Sequence, residues 1–219
     1  MITYEDIKTN KEIRAYISGA DESLKALGFT EHSFAHVEKV ATRAQYLLET
    51  LGYSEREVNL VKIAAYLHDI GNLVNRIEHS QTGGIMAFSL LREMGMEPED
   101  ISQVVAAIGN HDEGTGVPLN PIAAALILAD KTDVRRSRVR NQDVTTFDIH
   151  DRVNYSVERD DLTVSQDGTQ LILDLTVNTK YGSVMDYFEI FLERMILCRK
   201  AAEVLGLSFK MVMNGQWVL

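Results

Sequence analysis

Residues 58–72, with the sequence VNLVKIAAYLHDIGN, constrain the fold of this chain more than any other segment. Their apolar side chains recur at helical spacing, which predicts a largely buried helix. His68 and Asp69 fall in the last turn of that helix, and Gly71 is placed to stop it. An imidazole and a carboxylate in an apolar setting are costly unless a hydrogen bond or a metal ion satisfies them. We therefore expect a polar site at this helix end.

The length and composition limit the classes of protein that the chain can represent. Its 219 residues can bury a core without disulfides, and the single Cys198 is expected to be a buried thiol in a reducing compartment. The sequence does not begin with a basic segment followed by an apolar one. The longest uncharged apolar run, 121–129, is too short to span a bilayer. We therefore expect a cytoplasmic protein without membrane contact.

The charge distribution favours a small anionic partner over a large one. A formal net charge of −10 argues against binding of extended nucleic acid, because phosphate contacts need clustered basic residues. One short segment is an exception and contains Lys131, Arg135, Arg136, Arg138 and Arg140. This segment could hold an anionic small molecule, or it could pair with the protein's own carboxylates as a solvated face.

The periodicity of the remaining chain predicts a mainly α-helical fold with a small α+β appendage at the C-terminus. Helices are predicted at 10–27, 30–51, 54–71, 78–94, 98–111 and 122–129. Their short links indicate one helical bundle over residues 1–158. Residues 159–219 are interpreted as the appendage, with a β-hairpin, a long helix and a short strand at 161–165, 171–177, 184–205 and 208–213.

Histidines and aspartates at the ends of the predicted helices indicate a metal site. Four of the six histidines and two aspartates occupy such positions: His36, His68, His79, His111, Asp69 and Asp130. Imidazoles and carboxylates from separate helices can converge in a bundle core around a metal ion. Nitrogen and oxygen donors without thiolate suit Fe, Mn, Zn, Co or Ni. For any single histidine, the alternative to a metal ligand is a hydrogen-bonded core residue or a helix cap.

In their order and spacing, five short elements resemble those of the HD-domain metal-dependent phosphohydrolases. The elements are His36-Val37-Glu38-Lys39-Val40-Ala41, His68-Asp69-Ile70-Gly71, His79 with Gly83, His111, and Ala129-Asp130. The resemblance covers about residues 30–135 and implies an HD-domain helical bundle with one or two divalent metals. It implies that the first metal is bound by His36, His68, Asp69 and Asp130. A second metal would add His79 and His111, with Asp69 as the bridge.

The resemblance also implies an activity, which is hydrolysis of a phosphate ester or nucleotide by a metal-activated water. The expected partner is an anionic phosphorylated small molecule or nucleotide. The turn at 114–118 resembles the Gly-Tyr-Pro turn of the HD-GYP cyclic-dinucleotide phosphodiesterases, but Val117 replaces the tyrosine. Asp112 also stands where that subclass has a second histidine, and Asn72 where it has a lysine. These differences argue against specificity for cyclic di-GMP.

Further residues near these elements are predicted to contact the substrate or to transfer protons. Asn72, Lys131, Arg135 and Arg136 are predicted to bind phosphate. Asp69 and Asp112 are the predicted catalytic residues. Asp112 or Glu113 would serve as general base. The alternative is that both are solvated loop carboxylates with no catalytic role. His32 is interpreted as a pocket or capping residue, and His150 as structural or exposed.

Two other functions are compatible with the same set of ligands. An HD-fold di-iron oxygenase would use the histidines and aspartates to activate oxygen, and a non-catalytic metal or nucleotide sensor would signal through the appendage. Oxygen-dependent substrate loss would identify the first, and tight nucleotide binding without turnover the second. The exposed edge of the predicted hairpin is also compatible with a homodimer.

Overall fold

A computed structural model describes residues 2–219 and is mainly α-helical, with a small sheet formed by the C-terminal segment. The helices are α1 (Tyr4–Thr9), α2 (Lys11–Ala26), α3 (Phe34–Thr50), α4 (Glu55–Leu67), α5 (His79–Glu93), α6 (Pro98–Gly109), α7 (Pro121–Lys131), α8 (Ile149–Ser156) and α9 (Val184–Val204). The strands are β1 (Val157–Val164), β2 (Gln170–Val177), β3 (Ser208–Met213) and β4 (Gln216–Trp217). The predicted fold class is confirmed, although α1, α8 and β4 were not predicted.

Two helix boundaries near the site differ from the prediction for identifiable reasons. Helix α3 begins at Phe34 rather than at the predicted residue 30, and it is capped by Ser33, whose hydroxyl accepts the backbone N–H of Ala35. Helix α4 ends at Leu67, and a short 3-10 turn, Ile70–Leu73, follows it. His68 and Asp69 therefore lie in the junction between α4 and this turn.

The sheet has the strand order β1-β2-β3-β4. β1 and β2 are antiparallel and form the predicted hairpin, whose turn places Gly168 at a φ of 69°. β3 lies parallel to β2, and α9 supplies the crossover that a parallel connection requires. Alternate residues of β2 are buried, so one face of the sheet packs on the protein interior.

One hydrophobic core joins the helical bundle to the C-terminal segment. The centre of this core is α7, whose residues 122–129 are all buried, and α7 packs against α3, α4 and α9. Leu173 of β2 and Cys198 of α9 belong to the same buried cluster as Leu67 of α4. The core is thus continuous across the predicted boundary at 158/159. Among the described residues, no helix is both long and apolar enough to cross a membrane.

Candidate metal centre

Helix ends bring the six predicted metal ligands together in the interior. They come from α3, the α4 junction, the start of α5, the residues after α6, and the last turn of α7: His36, His68, Asp69, His79, His111 and Asp130. All six side chains are buried, and none of the four imidazoles is more than 2% exposed. Buried polar groups of this kind require partners.

The first group of ligand atoms surrounds the Nε2 atoms of His36 and His68, which lie 3.3 Å apart. Asp130 Oδ1 is 3.3 Å from Nε2 of His36, and Asp69 Oδ2 is 3.3 Å from Nε2 of His68. One nitrogen or oxygen from each of His36, His68 and Asp130 falls within 4.8 Å of the others. This group can hold a metal ion.

The second group surrounds the Nε2 atoms of His79 and His111, which lie 3.2 Å apart. Asp69 Oδ1 is 3.4 Å from Nε2 of His79 and 4.0 Å from Nε2 of His111. The two carboxylate oxygens of Asp69 therefore face different pairs of histidines. That is the arrangement a bridging carboxylate needs between two metal ions.

Each of the four imidazoles in the site is oriented by a hydrogen bond from its Nδ1 atom. Nδ1 of His36 donates to Asp133 Oδ2 at 2.7 Å, because a carboxylate only accepts. Nδ1 atoms of the other three donate to backbone carbonyls: His68 to Ala65 at 2.7 Å, His111 to Ile108 at 2.6 Å, and His79 to Arg76 at 3.1 Å. Each Nε2 therefore faces the centre, where it can bind a metal ion once it is deprotonated.

The charges of the site fit a bound cation. Burial opposes ionisation of Asp69, but the neighbouring His68 holds the pKa of that carboxyl well below its usual range. Burial also opposes the charge on His68, yet Asp69 and Asp130 raise the pKa of its imidazole to about 10. The carboxylates of Asp69 and Asp130 stabilise positive charge, and the neighbouring imidazoles offer nitrogen donors. This combination suits divalent transition metals.

Asp133 is a residue of this site that the sequence analysis missed. Its fully buried carboxylate accepts from His36 and also contacts Lys39 at 3.0 Å and Nε of Arg135 at 2.9 Å. The spacing from Asp130 was the available signal, since Asp133 follows it by three residues, just beyond the end of α7. Its role is to hold the His36 ring with Nε2 toward the centre.

We expect Asp133→Asn to weaken metal binding at the first group by about 10- to 100-fold, because an outer partner fixes the tautomer of its ligand. Competition between the protein and a chelator of known affinity measures this change. Asp174→Asn is the matched control, since Asp174 lies on β2 and pairs with the exposed Arg159. An unchanged metal affinity in Asp133→Asn would contradict the role given to Asp133.

A cleft of about 390 Å³ opens above the ligands, with Asp69, His79 and Asp130 at its base. Four cationic side chains line it: Arg76, Lys131, Arg138 and Arg194. Apolar and polar groups complete the walls, namely Leu27, Phe29, Phe191, Asp148, Asp151 and Asn154. The cleft therefore places four cationic side chains near the predicted metal-binding residues. These cations can bind an anionic small molecule.

The four predicted phosphate-binding residues have different surroundings. Lys131 lines the cleft, and its Nζ lies 2.8 Å from Asp130 Oδ2. Asn72 is buried and donates to Asp69 Oδ1 at 2.9 Å, so it orients that carboxylate. Arg135 pairs with Asp133, and Arg136 pairs with Glu158 and stacks on Tyr155, outside the lining of the cleft. Arg138, from the predicted basic segment, does line the cleft, and so do Arg76 and Arg194, which the sequence analysis did not predict.

The remaining candidate residues lie either beside the predicted metal ligands or in the wall of the cleft. Asp112 Oδ1 lies 4.0 Å from Nε2 of His79. Glu113 points the other way, with Oε2 3.2 Å from Lys131 Nζ. His32 lies edge to face with His36 and lines the cleft, and the exposed His150 lines it as well.

Comparison with known proteins identifies the family. The HD domain matches residues 33–145, which is more than half of the 219 residues, and the chain belongs to the HD domain family. This confirms the family predicted from the five elements. The chain is also similar to Uncharacterized protein MJ1020 of Methanocaldococcus jannaschii, with 27% identity over 179 residues, 71% of this chain and 69% of that protein.

Two crystal structures are similar to the chain at low identity. One is described as a predicted HD superfamily hydrolase from an uncultured Thermotogales bacterium, at 22% identity and a TM-score of 0.43, over 62% of this chain and 75% of that one. The other is a protein from Lactobacillus plantarum, at 17% identity and a TM-score of 0.47, over 90% of this chain and 89% of that one.

Proposed function

We propose that the protein is a metal-dependent phosphohydrolase that cleaves a phosphate ester or nucleotide. The observation that carries the proposal is the position of Asp69, whose two oxygens face separate histidine pairs and which lines a cleft with four cationic side chains. The HD domain match agrees with this function.

In this proposal the six buried residues hold one or two divalent metals. His36, His68 and Asp130 hold the first, His79 and His111 hold the second, and Asp69 contacts both. When bound, such metals supply a water of lowered pKa as nucleophile and neutralise charge on the phosphoryl oxygens. The metals that fit these donors are Fe, Mn, Zn, Co and Ni.

The protein's own groups orient the substrate and accept the proton. Arg76, whose guanidinium lies 3.2 Å from Nε2 of His79, and Lys131 face the cleft and attract the phosphate. Asp112 Oδ1 lies 4.0 Å from Nε2 of His79, whereas the other nearby carboxylate, Asp133, is fully buried and paired, so we assign Asp112 the role of proton acceptor. Glu113 is held by Lys131 and Arg194 and is therefore less suited to that role.

A panel of phosphoesters tests the function directly. Metal-free protein would be reconstituted separately with Mn, Fe, Co, Ni and Zn and assayed with p-nitrophenyl phosphate, bis(p-nitrophenyl) phosphate and nucleoside mono-, di- and triphosphates. We expect at least one metal to raise phosphoester hydrolysis by about 100-fold or more over the metal-free protein, and a chelator to reverse the gain.

Two results would contradict the proposal. Oxygen-dependent loss of substrate without phosphate release, with iron bound, would identify an oxygenase. Tight nucleotide binding with no turnover under any of the five metals would identify a sensor. Release of phosphate or of p-nitrophenol that follows the metal content would support the phosphohydrolase.

A further inference from the structure

Helix α9 lies outside the matched HD domain, yet it forms part of the wall of the cleft. It packs along α7, the helix that carries Asp130, and it presents Phe191 and Arg194 to the cleft. The C-terminal segment therefore contributes side chains to the same space as the metal ligands.

Arg194 is held in place on two sides. Its Nε pairs with Glu113 Oε1, and its guanidinium lies over the ring of Phe191 at 4.4 Å from the ring centre. Within residues 2–219, neither of its two terminal nitrogens donates a hydrogen bond, and 27% of the side chain is exposed. The guanidinium is held through Nε and through its contact with Phe191, and its terminal nitrogens make no hydrogen bond, so they can bind an anion.

Glu113 ties Arg194 to the metal centre. Lys131 Nζ lies 3.2 Å from Glu113 Oε2 and 2.8 Å from Asp130 Oδ2, so alternating charges run from a proposed ligand to Arg194. Arg138 contrasts with Arg194, because its Nε and Nη1 donate to the backbone carbonyls of Glu31 and Asp133 at 2.9 Å. Arg194 therefore has more N–H groups available for an anion than Arg138 has.

We infer that Arg194 binds the phosphate of the substrate through its two terminal nitrogens, with Glu113 as the residue that positions it. This inference rests on the proposed function, which supplies the phosphorylated substrate. A guanidinium fork matches the oxygens of a phosphate group and can bind two of them at once. The C-terminal segment then completes the substrate site that the HD domain begins.

Binding of inorganic phosphate to the Mn-loaded protein, followed by calorimetry, tests the inference without turnover. We expect Arg194→Ala to weaken phosphate binding at least tenfold and Arg194→Lys to recover part of the loss. Arg199→Ala is the matched control, because Arg199 lies on the same helix and is exposed outside the cleft. It should bind phosphate as the parent does. Manganese content and circular dichroism would be measured for each variant.

Kinetics distinguish a binding role from a structural one. With a phosphoester that the enzyme hydrolyses, Arg194→Ala should raise KM more than it lowers kcat, and Glu113→Gln should have a smaller effect in the same direction. Unchanged phosphate affinity in Arg194→Ala, loss of manganese from that variant, or absence of phosphate binding by the parent would overturn the inference. Phosphate binding that depends on Arg194, in a protein that hydrolyses none of the phosphoesters, would overturn only the proposed function.

Discussion

Asp69→Ala is expected to remove both metals from the protein and to lower phosphoester hydrolysis by on the order of 1,000-fold or more. Loss of an outer partner alone costs about 10- to 100-fold in metal affinity or activity, and in the proposed site Asp69 would itself be a ligand of each metal. Asp69 Oδ2 lies 3.3 Å from His68, while Asp69 Oδ1 lies 3.4 Å from His79. Elemental analysis of the purified variant would measure metal content, and the phosphoester assay its activity.

Metal-dependent stability gives a second readout of the same substitution. A ligand at 100 times its Kd stabilises the folded state by about 2.7 kcal/mol, so the parent's Tm should rise when metal is added. For a chain of this size the rise is about 5–10 °C. The Tm of Asp69→Ala should not change with metal.

Asp161→Ala is the control for this experiment, because Asp161 is an exposed carboxylate on β1, far in the sequence from every proposed ligand. It should keep the parent's metal content and activity. A folded Asp69→Ala that still bound two metals, or that hydrolysed phosphoesters as the parent does, would show that Asp69 is not the bridge.

The helical bundle could be predicted because its signals are local. Helix α4 begins at the predicted Ser54, whose hydroxyl accepts the backbone N–H of Glu57, and it is buried as its apolar pattern indicates. Helices α1 and α8 escaped prediction because they are short, at 6 and 8 residues, and too few apolar positions repeat within them. The two-residue β4 depends on its pairing with β3, which no local pattern records.

The ligands could be predicted because residue type, order and spacing all depend on the chemistry of the metals. The groups that support them could not, because their contacts join distant parts of the chain. Asp133 meets His36 across 97 residues, and Arg194 meets Glu113 across a gap nearly as long. Arg135 and Arg136 looked suitable because they follow Asp130 closely, yet side chains of successive residues point in different directions.

Gly71 serves a purpose that differs from the predicted one of stopping α4. The helix already ends at Leu67, and Gly71 lies in the 3-10 turn that follows. A methyl group added to Gly71 would lie 2.0 Å from the backbone oxygen of His79 and 2.5 Å from the backbone nitrogen of Gly83. Gly71 therefore lets the start of α5 approach closely enough for His79 to reach Asp69.

We therefore expect Gly71→Ala to destabilise the fold by about 3 kcal/mol or more, since backbone atoms cannot move aside as a flexible side chain can. Any folded fraction should lose metal from the second group, because α5 must shift and take His79 with it. Chemical denaturation and metal content measure the two effects. Gly114→Ala is the control, as a methyl group there would meet no atom within 4 Å. A Gly71→Ala variant with the parent's stability and metal content would mean that α5 is placed differently.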